Sequence, residues 1–233
     1  MKFIHYENKT KYLIILTCLI IFIYFNWTCR PPIPENRAKN PYEGLTRNGL
    51  FIVDNFLPFS EHLKYKKQFV KKYTSNSINI DINDTFMGSP KFVSYMSKTT
   101  GYDLKPVERQ KGIVSWLRYY NENVWNPFEN WHLDMKRHRC NDRQFRAVYC
   151  IACDADAYFS AQTDDGIINI KTKENSLIII EAENLLHKVV FKGGERLMMM
   201  TDFATSDKRG IHGSLVYLWD FVWWYIQKLY IKI

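Results

Sequence analysis

The chain has 233 residues, enough for one domain of ordinary size with an appendage. Hydrophobic residues make up 46% and aromatics 16%, which argues for a packed core and against a disordered chain. The net charge of +8 favours acidic partners without choosing among phospholipid, nucleic acid and acidic substrate, and five cysteines do not suggest a disulfide scaffold.

Residues 1–11 form a short tail carrying Lys2, Lys9 and Lys11. Residues 12–28 then run without a charge, near the lower length limit for a helix that crosses a hydrocarbon core. Tyr12, Tyr24 and Trp27 lie towards the ends of the run, where amphipathic rings favour the interface. The small-residue cleavage pattern of a signal peptide is missing, so the run reads as an uncleaved single-pass transmembrane anchor. The lysines before it place the N-terminus in the cytosol and the body on the lumenal or extracytosolic side. Residues 29–47, with Pro31, Pro32, Pro34 and Pro41, read as a stiff linker. The frequent Lys, Ile, Asn and Tyr reflect AT-biased coding and carry no functional information.

The body spans residues 48–210. Residues 49–58 predict a strand running into a turn, and 59–73 a helix capped by Ser60 with Leu63, Phe69 and Val70 on one face. Residues 74–85 are polar and read as loop, and Phe92, Val93, Tyr95 and Met96 suggest a short helix. Strands follow at 113–120, 145–151, 157–159, 167–170, 177–180, 188–191 and 196–203. Short strands separated by Asn, Asp and Gly argue a sandwich or barrel behind a helical front, an α+β and mainly β chain. Cys150 and Cys153 fall in one of these strands, and a single C-x-x-C cannot close a tetrahedral zinc site alone, so both read as strand residues. Lys136, Arg137, His138 and Arg139, with Arg143 and Arg146 nearby, read as a solvated charge cluster. Residues 211–233 are rich in Trp and Tyr but hold Asp220, which suits a helix lying on a membrane or packed on the body.

Chemistry points to His132-Leu133-Asp134. In an extended segment residues i and i+2 share a face, so His132 and Asp134 can reach one metal together. His187, at the start of a predicted strand, is the best third ligand. Two imidazoles and a carboxylate make the facial triad of non-haem iron(II) oxygenases, which leaves three positions for a bidentate oxo-acid and dioxygen. Beyond His187 a strand and a glycine turn lead to Arg196, whose guanidinium is a fork suited to a carboxylate. Taken singly, His132 beside Trp131 is an ordinary core histidine and Asp134 a turn cap. Their conjunction with His187 and Arg196 favours the metal.

On these residues the chain resembles the 2-oxoglutarate/Fe(II) dioxygenases, especially the prolyl and lysyl hydroxylase branch. The family's H-x-D…H pattern matches His132, Asp134 and His187, and its basic residue nine or ten positions later matches Arg196. Residues 54–58 match its entry segment, and the resemblance covers about residues 48–205. It implies a double-stranded β-helix (jelly-roll) core with N-terminal helices, and Fe(II) held by His132, Asp134 and His187. It also implies 2-oxoglutarate paired with Arg196 and touched by Tyr120, with Tyr149 a second candidate and ascorbate a further candidate cofactor. Met198 stands where the family often has Ser or Thr. The implied activity is hydroxylation of a C–H bond, first of a prolyl or lysyl residue in a protein or peptide. The competing expectations are a non-catalytic, membrane-anchored β-sandwich with a structural or binding role, and the same fold around a different metal. Nucleic acid is not an expected partner, because the basic residues are scattered and form no stripe.

Overall fold

The structure, a computed structural model, describes residues 12, 13, 15–20, 49–70, 77–109, 112–121, 130–134, 143–163, 165–182 and 184–205. The chain divides into two units. One takes in Met1–Pro32, Arg137–Asp142 and Arg209–Ile233. Of that unit, residues 12, 13 and 15–20 are described and are helical, and Tyr12, Leu13, Ile15, Leu16, Leu19 and Ile20 are all exposed. Among the described residues no helix is long and apolar enough to cross a membrane. The remainder of the apolar run at 12–28, the linker at 29–47 and the segment 211–233 lie outside the described residues.

The second unit, Ile33–Lys136 with Arg143–Lys208, carries the fold. Its strands are β1 (Leu50–Val53), β2 (Ser77–Asp81), β3 (Lys105–Pro106), β4 (Glu108–Arg109), β5 (Gly112–Tyr120) and β6 (Gln144–Cys153). They continue with β7 (Ala157–Thr163), β8 (Gly166–Lys171), β9 (Leu177–Glu181), β10 (His187–Phe191) and β11 (Arg196–Ala204). Two helices, α1 (Phe59–Val70) and α2 (Pro90–Thr100), precede most of them. A large sheet runs β1-β9-β6-β11-β5-β2, and a small one runs β10-β7-β8. Every described pairing is antiparallel.

Strand periodicity sorts the side chains into two layers. One face of the large sheet, with Phe51, Phe145, Ala147, Tyr149, Leu177, Ile179, Met199 and Phe203, packs under Phe69 of α1 and Phe92 and Met96 of α2. The other face, with Leu50, Ile52, Ile178 and Ile180, packs on Phe159 and Ala161 of β7. β9 is covered on both sides and is buried throughout. This explains its unbroken Leu-Ile-Ile-Ile run in place of alternation. Each such side chain contributes roughly 1.5–3 kcal/mol on burial.

The helical front and the later strands stand where the sequence places them, with three differences. α1 begins at Phe59, so Ser60 lies inside the helix and does not cap it. Residues 77–81, read as loop, form the edge strand β2 on β5. Their Ser-Ile-Asn-Ile-Asp alternation has the strand period, but its polar half is as prominent as its apolar half. The short helix around Phe92 is the full helix α2, because Ser89 caps Phe92 N–H, Pro90 starts the first turn and Gly101 ends it in the left-handed conformation.

Candidate metal centre

His132 and His187 meet through the backbone. His132 N–H donates to His187 O at 2.9 Å and His187 N–H donates to His132 O at 3.0 Å, a reciprocal antiparallel bridge. Asp134 N–H donates to Ala182 O at 3.1 Å, so segment 132–134 runs extended along the chain leading into β10. That conformation turns His132 and Asp134 to one side, towards His187. Ligand-type atoms of the three residues all lie within 4.8 Å of one another. His132 Nε2 is 3.6 Å from Asp134 Oδ1, and His187 Nε2 is 3.4 Å from Asp134 Oδ2. Donors at right angles on one ion, each about 2.1 Å from it, sit about 3 Å apart; the two His–Asp distances, each to a different carboxylate oxygen, come close to that spacing, and the set fits a metal once one Asp134 oxygen turns towards both rings.

The other nitrogen of each ring is already committed. His132 Nδ1 lies 2.8 Å from Asn130 O, and His187 Nδ1 lies 2.9 Å from Leu185 O. Each Nδ1 therefore carries the proton and donates it, which leaves both Nε2 lone pairs for a cation. Phe159 stacks on the His187 ring with centroids 5.0 Å apart and holds it from the small sheet.

Asp134 is also tied to Arg146. Arg146 Nη1 reaches Asp134 Oδ1 at 2.7 Å, while Arg146 Nε donates to Asp202 Oδ1 at 2.8 Å. Burial alone would raise the Asp134 carboxyl, but the Arg146 charge and the two histidines outweigh it and hold it well below the ordinary carboxylate range. At His132 burial acts to lower the imidazole pKa, and the bonds to Asp134 and the Asn130 carbonyl outweigh it, so the ring titrates above its usual value. A cation at the site has to displace that proton. Arg143 and Arg146 are thus no solvated cluster. Arg143 is buried and donates to the buried Glu181 at 2.7 Å.

A second cluster lies on the same face of the large sheet. The turn at Gly193 and Gly194 delivers Arg196 to the start of β11. Gly194 has φ +88°, and a Cβ there would stand 2.7 Å from Ala155 Cα, so glycine is required. Arg196 is buried, its guanidinium 4.8 Å over the ring of Tyr120, its partner across β5. Nη1 reaches Thr172 Oγ1 at 3.3 Å, and Nε has no partner among the described residues. An orphaned buried guanidinium N–H calls for an anion, and the fork suits a carboxylate. Tyr120, Cys150 and Met198 pack together beside it, flanked by Phe191.

The structure thus brings together His132, Asp134 and His187, and separately Arg196 and Tyr120. It does not bring Tyr149 to them. Tyr149 faces the helices, its hydroxyl 2.7 Å from His62 Nδ1 and donating to Asn175 Oδ1 at 2.9 Å. Strand alternation puts Cys150 on the side of Tyr120 and Met198 instead. Sequence reasoning also passed over Thr172, which places a hydroxyl beside Arg196 although Met198 brings none.

No family model matches the sequence, and no curated protein does. The fold itself has solved counterparts. EctD from S. alaskensis with bound Fe superposes with a TM-score of 0.57 at 12% identity, over 78% of this chain and 85% of that one. An oxidoreductase of the 2OG-Fe(II) oxygenase family from Burkholderia pseudomallei superposes with a TM-score of 0.56 at 11% identity, over 77% of this chain and 98% of that one. EctD with 2-oxoglutarate and 5-hydroxyectoine gives 0.55 at 11% identity, over 76% and 81%. The chain has the fold of these oxygenases.

Proposed function

We propose that the chain is an Fe(II)- and 2-oxoglutarate-dependent oxygenase that hydroxylates a C–H bond. The observation that carries this reading is the inward-facing His132, Asp134 and His187 set, with both Nδ1 atoms held by carbonyls. His132 and His187 bind the metal through Nε2, and Asp134 binds it through a carboxylate oxygen. Arg196 pairs with the far carboxylate of the oxo-acid, Thr172 adds a hydroxyl, and Tyr120 braces the guanidinium. Bound iron would supply the site at which dioxygen, the oxidant, gives one oxygen atom to succinate as 2-oxoglutarate loses carbon dioxide and the other to the substrate C–H bond. The protein contributes ligand geometry and orientation, with Phe159 stacked on His187 and Met198 and Phe191 packed beside Tyr120 as apolar neighbours.

The first substrate class is a prolyl or lysyl residue of a protein or peptide, supported by the spacing of His132, Asp134, His187 and Arg196. The body is held at a membrane by residues 12–28 and lies on the lumenal or extracytosolic side. Support comes from the uncharged run, the lysines before it and the exposed apolar side chains of its helical part.

The test is an anaerobic titration of the 233-residue chain with Fe(II) and 2-oxoglutarate. Chelation of iron by the oxo-acid gives a visible charge-transfer band. The band is expected in the wild type, absent in His187→Ala, and shifted to far higher 2-oxoglutarate concentrations in Arg196→Ala. A folded, iron-supplied chain without the band leaves a non-catalytic β-sandwich. Mass spectrometry of proline- and lysine-containing peptides, read for the gain of one oxygen atom, tests the substrate class.

A further inference from the structure

Among the described residues Arg146 is the charged side chain that reaches the metal set without being a ligand, and two carboxylates share it. Asp202 is its register partner across β6 and β11, and takes Nε at 2.8 Å and Nη2 at 3.5 Å. This grip on one edge of the guanidinium fixes its rotation and aims Nη1 at Asp134 Oδ1, 2.7 Å away. Trp116 lies 5.6 Å under the guanidinium carbon. The Arg146 side chain is 15% exposed, Asp134 6% and Asp202 1%, so the chain of charges is shielded from bulk water.

We propose that Arg146, braced by Asp202, is the positioning residue that keeps Asp134 a single-oxygen ligand. Oδ1, which also faces His132 Nε2 at 3.6 Å, is engaged by Arg146 at 2.7 Å, and Oδ2, 3.4 Å from His187 Nε2, is the oxygen left for the metal. A carboxylate that binds through both oxygens would take two positions, leaving two where a bidentate oxo-acid and dioxygen together need three. Asp202 has a second role. A bare guanidinium beside a dication would repel it, but Asp202 neutralises the Arg146 charge, so the ligand set keeps the full charge of Asp134 for the metal. The inference rests on the oxygenase reading and goes beyond it, because it predicts that two residues outside the ligand set control different properties of the centre.

The experiment uses the 233-residue chain and four proteins: wild type, Arg146→Met, Arg146→Lys and Asp202→Asn. Melting temperature and circular dichroism report folding. Cobalt(II) absorption reports metal affinity and coordination number, and the anaerobic Fe(II) band reports 2-oxoglutarate affinity. Arg146→Met is expected to weaken 2-oxoglutarate binding about ten- to a hundredfold and to raise the coordination number from Asp134. Arg146→Lys, which keeps one donor for Oδ1, restores most of that loss. Asp202→Asn is expected to weaken cobalt(II) binding about tenfold although residue 202 touches no metal. The proposal is overturned if Arg146→Met keeps wild-type oxo-acid affinity and cobalt spectrum, or if Asp202→Asn keeps wild-type metal affinity; Arg146 is then a cross-strand tie only. A wild type that shows no band at all sinks the oxygenase reading, a result separable from these.

Discussion

Gln144 lies fully buried on the same side of β6 as Arg146, and neither atom of its amide has a hydrogen-bond partner among the described residues. An unmet buried amide costs roughly 1–3 kcal/mol. Gln144→Met keeps the volume and removes both polar atoms, so it is expected to stabilise the fold by about 1 kcal/mol. The readout is the urea midpoint at unchanged slope; a lower midpoint would show that the amide is satisfied in solution. The same residue scale shows what the sequence discloses. His132, Asp134, His187 and Arg196 were legible because the residue types themselves announce the chemistry. Arg143 and Arg146 were not, because their partners Glu181 and Asp202 are separated from them by 38 and 56 residues. Thr172 has no local signal; only its place beside Arg196 gives it a role.

Elements are specified by pattern and by caps, and the two carry different amounts of information. β9 was readable from its apolar run alone. β2 was not, because an edge strand made of Ser, Asn and Asp on one face looks like a loop until β5 is seen beside it. β6 contains a further feature hidden from the sequence. Its register against β11 shifts between Leu197 and Met198, so Ile151 is an extra residue without a partner. The bulge sets Cys150 and Cys153 on one side although they are three residues apart, and simple alternation from Tyr149 therefore misplaces Cys153. For α2 the sequence is explicit. Ser89 Oγ accepts from Phe92 N at 3.2 Å, and Ser89→Ala is expected to cost about 1 kcal/mol by urea denaturation, with little loss on Ser89→Asp.

At the scale of the whole molecule, the helices, the large sheet and the small sheet are joined by buried polar ties as well as by apolar cores. His62 of α1 bridges Tyr149 at 2.7 Å and Glu174 at 2.8 Å, and Lys66 adds a second bond to Glu174 at 2.8 Å. Partial burial acts to raise the Glu174 carboxyl, but the bonds to Lys66 and His62 outweigh it and bring it below its ordinary 4.5. A carboxylate lowered in the folded state stabilises the fold above its unfolded pKa, and that contribution is lost as pH falls through the folded value. Wild-type stability is therefore expected to fall more steeply than that of Glu174→Gln as pH drops below 4.5, and to exceed it near neutrality. Chemical denaturation at a series of pH values checks this; parallel curves would remove the tie.

The backbone bridge between His132 and His187 has a consequence for time as well as for geometry. It closes a loop of more than fifty residues, which places it among the non-local pairings that a folding chain reaches late. If the bridge forms after the transition state, a metal held across it binds a pairing that the transition state lacks. Saturating cobalt(II) should therefore leave the refolding rate nearly unchanged and slow unfolding, so that the bound ion acts as a lock on the finished sandwich and plays no part in assembling it. Stopped-flow refolding and unfolding with and without cobalt(II) would show the asymmetry directly, and an accelerated folding limb would move the bridge to an early step.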